Sequence, residues 1–158
     1  MIKIGYGRDI HALSNNGRDL ILGGVLLPFE KKVVAHSDGD ILFHALAEAL
    51  LGALGLGDLG TYFPENDDKF DNYDSSKIVL KSLEFMNEKG FKLNNVDISI
   101  ICERPKLRPY INVIKENVKK ILSLDDECVS IKAQTNEKLD AVGENSAIEV
   151  ICALLIEK

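Results

Sequence analysis

The chain has no surplus of basic residues. Its 158 residues hold 19 Lys and Arg against 25 Asp and Glu, a net charge of −6. Proteins that grip nucleic acid concentrate cations against the phosphate backbone, so the composition disfavours that class. Nor is there an apolar run of the roughly 18 residues that a membrane-spanning helix needs. The opening stretch MIKIGYGRDIH carries charges and glycines where a secretory leader would have its apolar segment. The expected location is the cytoplasm, with no membrane partner. Cysteine is scarce: Cys102, Cys128 and Cys152 are odd in number, far apart and form no Cys-x-x-Cys. A disulfide framework, a zinc ribbon and a thioredoxin-type redox pair are thereby disfavoured. Cys102 and Cys152 lie in the apolar runs ISIIC and EVICALL, where a small apolar core residue is expected. There is no internal repeat, low-complexity tract or Pro/Ser-rich linker, so residues 1–158 are expected to form one domain.

The rest of the composition, 46% hydrophobic and 28% charged, is that of a globular chain. A chain of this length buries about two-thirds of its unfolded surface, enough to fold without disulfides or metal. Residues 2–13 read as extended, and Asn15-Asn16-Gly17 as a turn into a second strand over 20–27 closed by Pro28. Apolar positions from Ile41 to Leu54 recur at three and four, giving a helix over 40–54 that Ser37 or Asp38 can cap and Gly55 ends. An acidic, turn-rich loop over 58–74 precedes a second helix over 75–89. Val96, Ile98 and Ile100 alternate with polar residues as in a half-solvated strand. Pro109 opens a third helix, with Ile111, Ile114, Val118 and Ile121 as its stripe. Strands follow over 129–134 and 147–156, the last apolar on both faces and so expected to be central in a sheet or at an interface. The order ββ-α-α-β-α-β-β reads as α+β: a two-layer sandwich, a mixed sheet with helices on one face.

All three histidines, His11, His36 and His44, fall in the first 44 residues. Period two on a strand puts Asp9 and His11 on one face, while His44 shares a polar helix stripe with Asp40 and Glu48. One carboxylate and two neutral imidazoles make a three-ligand set suited to Zn²⁺ with an open fourth position. A strand Asp-x-His and a helical His beside acids also occur as plain surface pairs. His36-Ser37-Asp38-Gly39-Asp40 lies at a helix mouth, which reads either as a cap or as a phosphate site. Arg104-Pro105-Lys106-Leu107-Arg108 gathers three cations at a strand end, a solvated cluster or a phosphate clamp. Thr135-Asn136-Glu137-Lys138 offers a hydroxyl and a carboxylate that could hold Mg²⁺ with substrate phosphates.

Taken in order, Gly5-x-Gly7-x-Asp9-x-His11, His36-Ser37-Asp38-Gly39-Asp40-x-x-x-His44 and Leu56-Gly57-Asp58-Leu59-Gly60 with Phe63-Pro64 form a pattern. With Pro105-Lys106-Leu107, Pro109 and Thr135-x-Glu137-Lys138-Leu139, it resembles the 2-C-methyl-D-erythritol 2,4-cyclodiphosphate synthase family from residue 2 to the last strand. The resemblance implies an enzyme of the non-mevalonate isoprenoid route. That enzyme converts 4-diphosphocytidyl-2-C-methyl-D-erythritol 2-phosphate to the cyclic diphosphate and CMP. It implies zinc on Asp9, His11 and His44, and a Mg²⁺ or Mn²⁺ on Glu137. His36 and Thr135 would stabilise the transition state. Ser37, Asp58, Leu59 and Gly60 would hold the methylerythritol part, with Phe63, Pro64, Glu65 and Asp67 closing over it. Cys102, Arg104, Pro105, Lys106, Leu107, Arg108, Ala133 and Gln134 would line the cytidine and phosphate pocket. The implied assembly is a homotrimer whose sites take the zinc side from one chain and the nucleotide side from its neighbour.

The chain departs from the family pattern at Gln134, Asn136, Asp140, Ala141 and Glu144, and has Glu65 where Asp is frequent. The changes over 140–144 bear on the family's anion position at the trimer axis rather than on the catalytic centre. Two other readings stay open at this point. One is a zinc-dependent phosphatase or nucleotide hydrolase, in which water attacks phosphorus. The other is a trimer that binds zinc and CMP without turnover.

Overall fold

The computed structural model describes residues 1–64 and 67–158. Among these the strands are β1 (Ile2–Ser14), β2 (Ile21–Leu22), β3 (Val25–Leu26), β4 (Lys32–Val33), β5 (Lys92–Ile101), β6 (Val129–Gln134) and β7 (Ala147–Glu157). The helices are α1 (Ile41–Leu54), α2 (Leu59–Tyr62), α3 (Ser75–Glu88), α4 (Ile111–Leu122) and α5 (Asp140–Gly143). One five-stranded sheet has the order β4-β1-β7-β5-β6, parallel only between β5 and β6. β7 sits in its middle, the central of the two places expected for a strand apolar on both faces.

α1 is apolar almost all round, and a helix of that kind must be covered on every side. It lies on β1 and β7 and carries α3 on its outer side. Two glycines on the inner face of β1 set how closely it approaches. A Cβ on Gly7 would stand 2.0 Å from the Ala45 carbonyl oxygen, and one on Gly5 would stand 2.1 Å from that of Ala49. Helix backbone therefore rests directly on strand backbone, which carries His44 to the end of β1 that bears Asp9 and His11. α4 packs on β6 through Ile114, Val118 and Leu122, with Ile111 and Ile121 half-buried at the edges of the stripe.

Three local readings change. The strand expected over 20–27 is the hairpin β2–β3, because Gly23 and Gly24 turn the chain with φ of +59° and +76°. The residue capping α1 is Asp40, rather than Ser37 or Asp38. Its carboxylate accepts the Phe43 N–H and, across the gap to the hairpin, the N–H groups of Gly23 and Gly24. Asp40 is therefore a buried clasp and does not share the stripe of His44. The loop expected over 58–74 contains α2 and a 3₁₀ turn over Asp68–Phe70, each capped by an aspartate, Asp58 and Asp67.

Candidate active site

Asp9 and His11, two apart on β1, meet His44 from the first turn of α1. One ligand atom from each lies within 4.8 Å of the others. Asp9 Oδ2 is 3.1 Å from His11 Nε2 and 3.2 Å from His44 Nδ1. The outer nitrogen of each ring fixes the tautomer. His11 Nδ1 lies 2.8 Å from the Val34 carbonyl oxygen, which can only accept, so this nitrogen donates its N–H. His44 Nε2 lies 2.9 Å from Ser75 Oγ, whose own hydrogen goes to Asp38, so His44 must be the donor there. In the neutral rings both lone pairs then face the same carboxylate oxygen. Only a positive centre satisfies three converging acceptors: protons on the rings, or one shared cation. Four ligands at zinc's usual ~2.05 Å define a tetrahedron with edges of roughly 3.3 Å, close to the two distances to Asp9. The donor set thus fits a divalent metal. Burial works to raise the Asp9 carboxyl, but the two imidazoles outweigh it and hold the group well below the usual carboxylate range.

These residues line a cavity of about 400 Å³ together with His36, Ser37, Asp58, Leu59, Gly60 and Phe63. His36 Nε2 is buried with no hydrogen-bond partner among the described residues, an orphaned polar atom on a residue of the cavity wall. Its backbone carbonyl accepts from Asn72 N–H and Arg18, and Arg18 also pairs with Asp71 at 2.7 Å. Asp58 accepts from the Thr61 hydroxyl and N–H, which keep its carboxyl below the ordinary range. Sequence reasoning did not single out Phe70 and Tyr73, which complete an aromatic wall with Phe63. It placed Glu48 near His44 but not its partner: Glu48 accepts the Leu59 N–H at 2.9 Å and ties α1 to the Leu59-Gly60 segment. Pro64 and Asp67 flank the wall, with Asp67 paired to Lys69. Glu65 lies outside the described residues.

A second cavity, of about 300 Å³, opens where β5 and β6 end and shares no lining residue with the first. Cys102, Pro105, Lys106, Leu107, Arg108, Ala133, Gln134 and Thr135 line it, with Glu103 and Ile111 added. Burial pushes the Cys102 thiol up to about 11, so it is an inert wall rather than a nucleophile. Arg104 and Glu137 are not part of this lining. Glu137 Oε1 accepts the Thr135 hydroxyl at 2.9 Å, so the pair stands together at the rim. Glu103 falls within the 102–108 stretch expected to line this pocket, but its clamping role was not foreseen. One of its carboxylate oxygens accepts the N–H of Asn136 at 3.1 Å and of Lys138 at 3.2 Å, clamping the loop that carries Thr135 and Glu137.

The chain is 46% identical over 158 residues to the 2-C-methyl-D-erythritol 2,4-cyclodiphosphate synthase of Fusobacterium nucleatum, covering 100% of this chain and 98% of that protein. It is 48% identical over 157 residues to that of Brachyspira hyodysenteriae, covering 99% of each. Among solved structures, a 2C-methyl-D-erythritol-2,4-cyclodiphosphate synthase in a CDP-bound form superposes with a TM-score of 0.90 at 32% identity, covering 98% of this chain and 100% of that one. The bifunctional IspDF of Campylobacter jejuni gives 0.93 at 36% identity, where the match spans 99% of this chain and 42% of that one. The model of the YgbB family matches residues 2–157, and the chain belongs to that family.

Proposed function

We propose that the chain is a cytoplasmic 2-C-methyl-D-erythritol 2,4-cyclodiphosphate synthase of isoprenoid biosynthesis. Its substrate would be 4-diphosphocytidyl-2-C-methyl-D-erythritol 2-phosphate. An oxygen of the 2-phosphate attacks the β-phosphorus, the bond to the cytidyl phosphate breaks, and CMP leaves. The observation that carries this reading is the convergence of Asp9, His11 and His44 on one point beside a cavity. It is supported by full-length relatives bearing that name and by relatives solved with CDP.

Such a reaction needs no protein nucleophile, since phosphoryl transfer is governed by positioning and charge stabilisation. A divalent ion at the triad, zinc in our reading, supplies Lewis-acid polarisation of a phosphate oxygen, and Mg²⁺ or Mn²⁺ at Glu137 would supply countercharge. The chain's own groups do the rest. Ser37, Asp58, Leu59 and Gly60 present hydroxyl, carboxylate and backbone groups to the methylerythritol hydroxyls. Arg104, Lys106 and Arg108 offer cations to the phosphates, with the cytidine against Cys102, Pro105, Leu107, Ala133 and Gln134. His36 would donate a hydrogen bond to oxygens that gain charge, and so would Thr135 once a cation on Glu137 frees the hydroxyl hydrogen that Glu137 now accepts. Phe63, Pro64 and Asp67 would close over the substrate.

The two cavities share no lining residue, so a complete site is best built from two chains. We infer a homotrimer of single-domain subunits, each a two-layer sandwich with its helices on one sheet face and a neighbour on the other. The outer face of β1 supports this: Ile2, Ile4 and Tyr6 are 69%, 74% and 60% exposed in the single chain, an apolar strip that an isolated subunit leaves in water. Incubating the purified chain with the cytidyl substrate, Zn²⁺ and Mg²⁺ tests the activity by phosphorus NMR. Cyclic diphosphate with CMP is expected. Inorganic phosphate would mark a hydrolase, and unchanged substrate with bound CMP a non-catalytic binder.

A further inference from the structure

Two hydroxyls stand near the outer nitrogen of His44, and they are not equivalent. Ser75 Oγ is 2.9 Å from Nε2 and fully buried, while Ser37 Oγ is 3.2 Å away and already accepts the Gly39 N–H at 3.1 Å. Ser75 has one hydrogen, which it gives to Asp38 Oδ1, leaving its lone pairs for His44. Asp38 is itself held in place. Its carboxylate accepts the Ser75 N–H and the Asp40 N–H, each at 3.0 Å. The chain Asp38–Ser75–His44 thus has one consistent direction of hydrogen bonds, and it joins the start of α3 to the first turn of α1.

We propose that Ser75, oriented by Asp38, is a positioning residue for His44: it accepts the Nε2–H and so turns the Nδ1 lone pair toward Asp9 and the metal position. A metal-bound imidazole commonly leans on a carboxylate through its second nitrogen; here a serine is interposed. The proposal rests on the metal reading given above, and its test separates the two.

Ser75→Ala keeps the helix start, because the N-cap of α3 is Asp74 and the Ser75 N–H still reaches Asp38. Two readouts apply to the full chain: the tautomer of His44 by long-range ¹⁵N NMR on the metal-free protein at a pH where the ring is neutral, and Zn²⁺ affinity by chelator competition. The unmodified chain should show Nε2–H. In Ser75→Ala the tautomers should mix and zinc affinity should fall by about tenfold to a hundredfold, the usual effect of losing such a partner. Ser75→Thr, which keeps the hydroxyl, should recover most of the affinity if the added methyl is accommodated; Ser75→Ala decides in either case. Ser37→Ala should leave both readouts within about twofold. An unchanged tautomer and affinity in Ser75→Ala, or the loss appearing in Ser37→Ala instead, would overturn the proposal. If the unmodified chain bound no zinc, the metal reading would fall, while the tautomer of His44 would still decide the role of Ser75.

Discussion

The two cavities are built to different standards of rigidity. In the first, the metal-facing side chains stand on a long central-sheet strand and on a buried helix, and the outer nitrogen of each imidazole is tied down by a hydrogen bond. In the second, Lys106 and Arg108 are exposed on a loop, and the segment after β6 holds Glu137, Lys138 and Asp140 in left-handed backbone at φ of 52°, 62° and 57°. That segment is held by the Glu103 clamp, the Thr135–Glu137 bond and local turn bonds such as Asn136 Nδ2 to the Leu139 carbonyl. The physical demands differ accordingly. A metal site tolerates errors of a few tenths of an ångström, whereas a lysine meeting a phosphate acts as a point charge over a wider range.

The largest effects should come from cutting each half separately. His44→Ala is expected to lose stoichiometric zinc and to lower activity on the order of a thousandfold, with little change in folding, since the core does not depend on metal. Metal analysis showing full occupancy would remove His44 from the ligand set. Lys106→Ala should instead keep its zinc and weaken CMP by about 1.5–3 kcal/mol, roughly tenfold to a hundredfold, as loss of one charge-assisted hydrogen bond does. If the halves belong to different chains, unfolding and refolding the two variants together, assayed at a substrate concentration too low to fill the Lys106→Ala site, should restore about a quarter of the activity, the share of intact pairings in a random cyclic assembly. No recovery from the mixture would place both halves in one chain.

Gly7→Ala probes the rigid half from a distance. The new Cβ would meet the Ala45 carbonyl at 2.0 Å, and backbone against backbone has no side chain to swing aside. Forcing strand and helix apart should cost about 3 kcal/mol in urea unfolding and weaken zinc through the spacing of Asp9 and His44. A variant that kept its stability and zinc affinity would show that the close approach is not what sets the triad. On the looser side, Thr135→Val should lower kcat more than it changes KM, because its hydroxyl acts on charge that develops late. Steady-state kinetics showing the reverse would make Thr135 a ground-state contact.

Much of this contrast was legible in the residues. The period-two spacing of Asp9 and His11 and the helix periodicity around His44 are local patterns, and local patterns survive folding. The two apolar faces of β7 left a central or an interfacial place open, and the sheet order makes it central. What could not be read was contact across sequence distance. Ser75 meets His44 and Glu103 meets Asn136 and Lys138 because α3 packs on α1 and β5 lies beside β6, and no short-range pattern encodes those pairings. The reading of Asp40 failed for the same reason. Four residues from His44 it looked like a helix-face neighbour, but the hairpin β2–β3 brings two backbone N–H groups over it.

Asp40 gives the smallest and most specific prediction. Burial without a counter-cation raises its carboxyl to about 6, opposed by the Gly24, Phe43 and Gly23 N–H groups. An acid raised in the folded state binds its proton more tightly there than in the unfolded chain, where it titrates near 3.9. Its contribution to stability is therefore complete below about pH 4 and is lost as pH rises through 6. Asp9 has the opposite sign: held low in the folded state, it contributes above about pH 4 and loses that contribution as pH falls. The two can be separated by substituting one of them. Asp40→Ala should be destabilised at both pH 4.5 and pH 7 by loss of the clasp, and the deficit should be larger at pH 4.5 by about 2 kcal/mol. Urea midpoints of the two proteins at the two pH values measure that difference directly. An equal deficit at both would mean that the three N–H donors offset the burial and keep Asp40 ionised throughout, making the clasp a charged one.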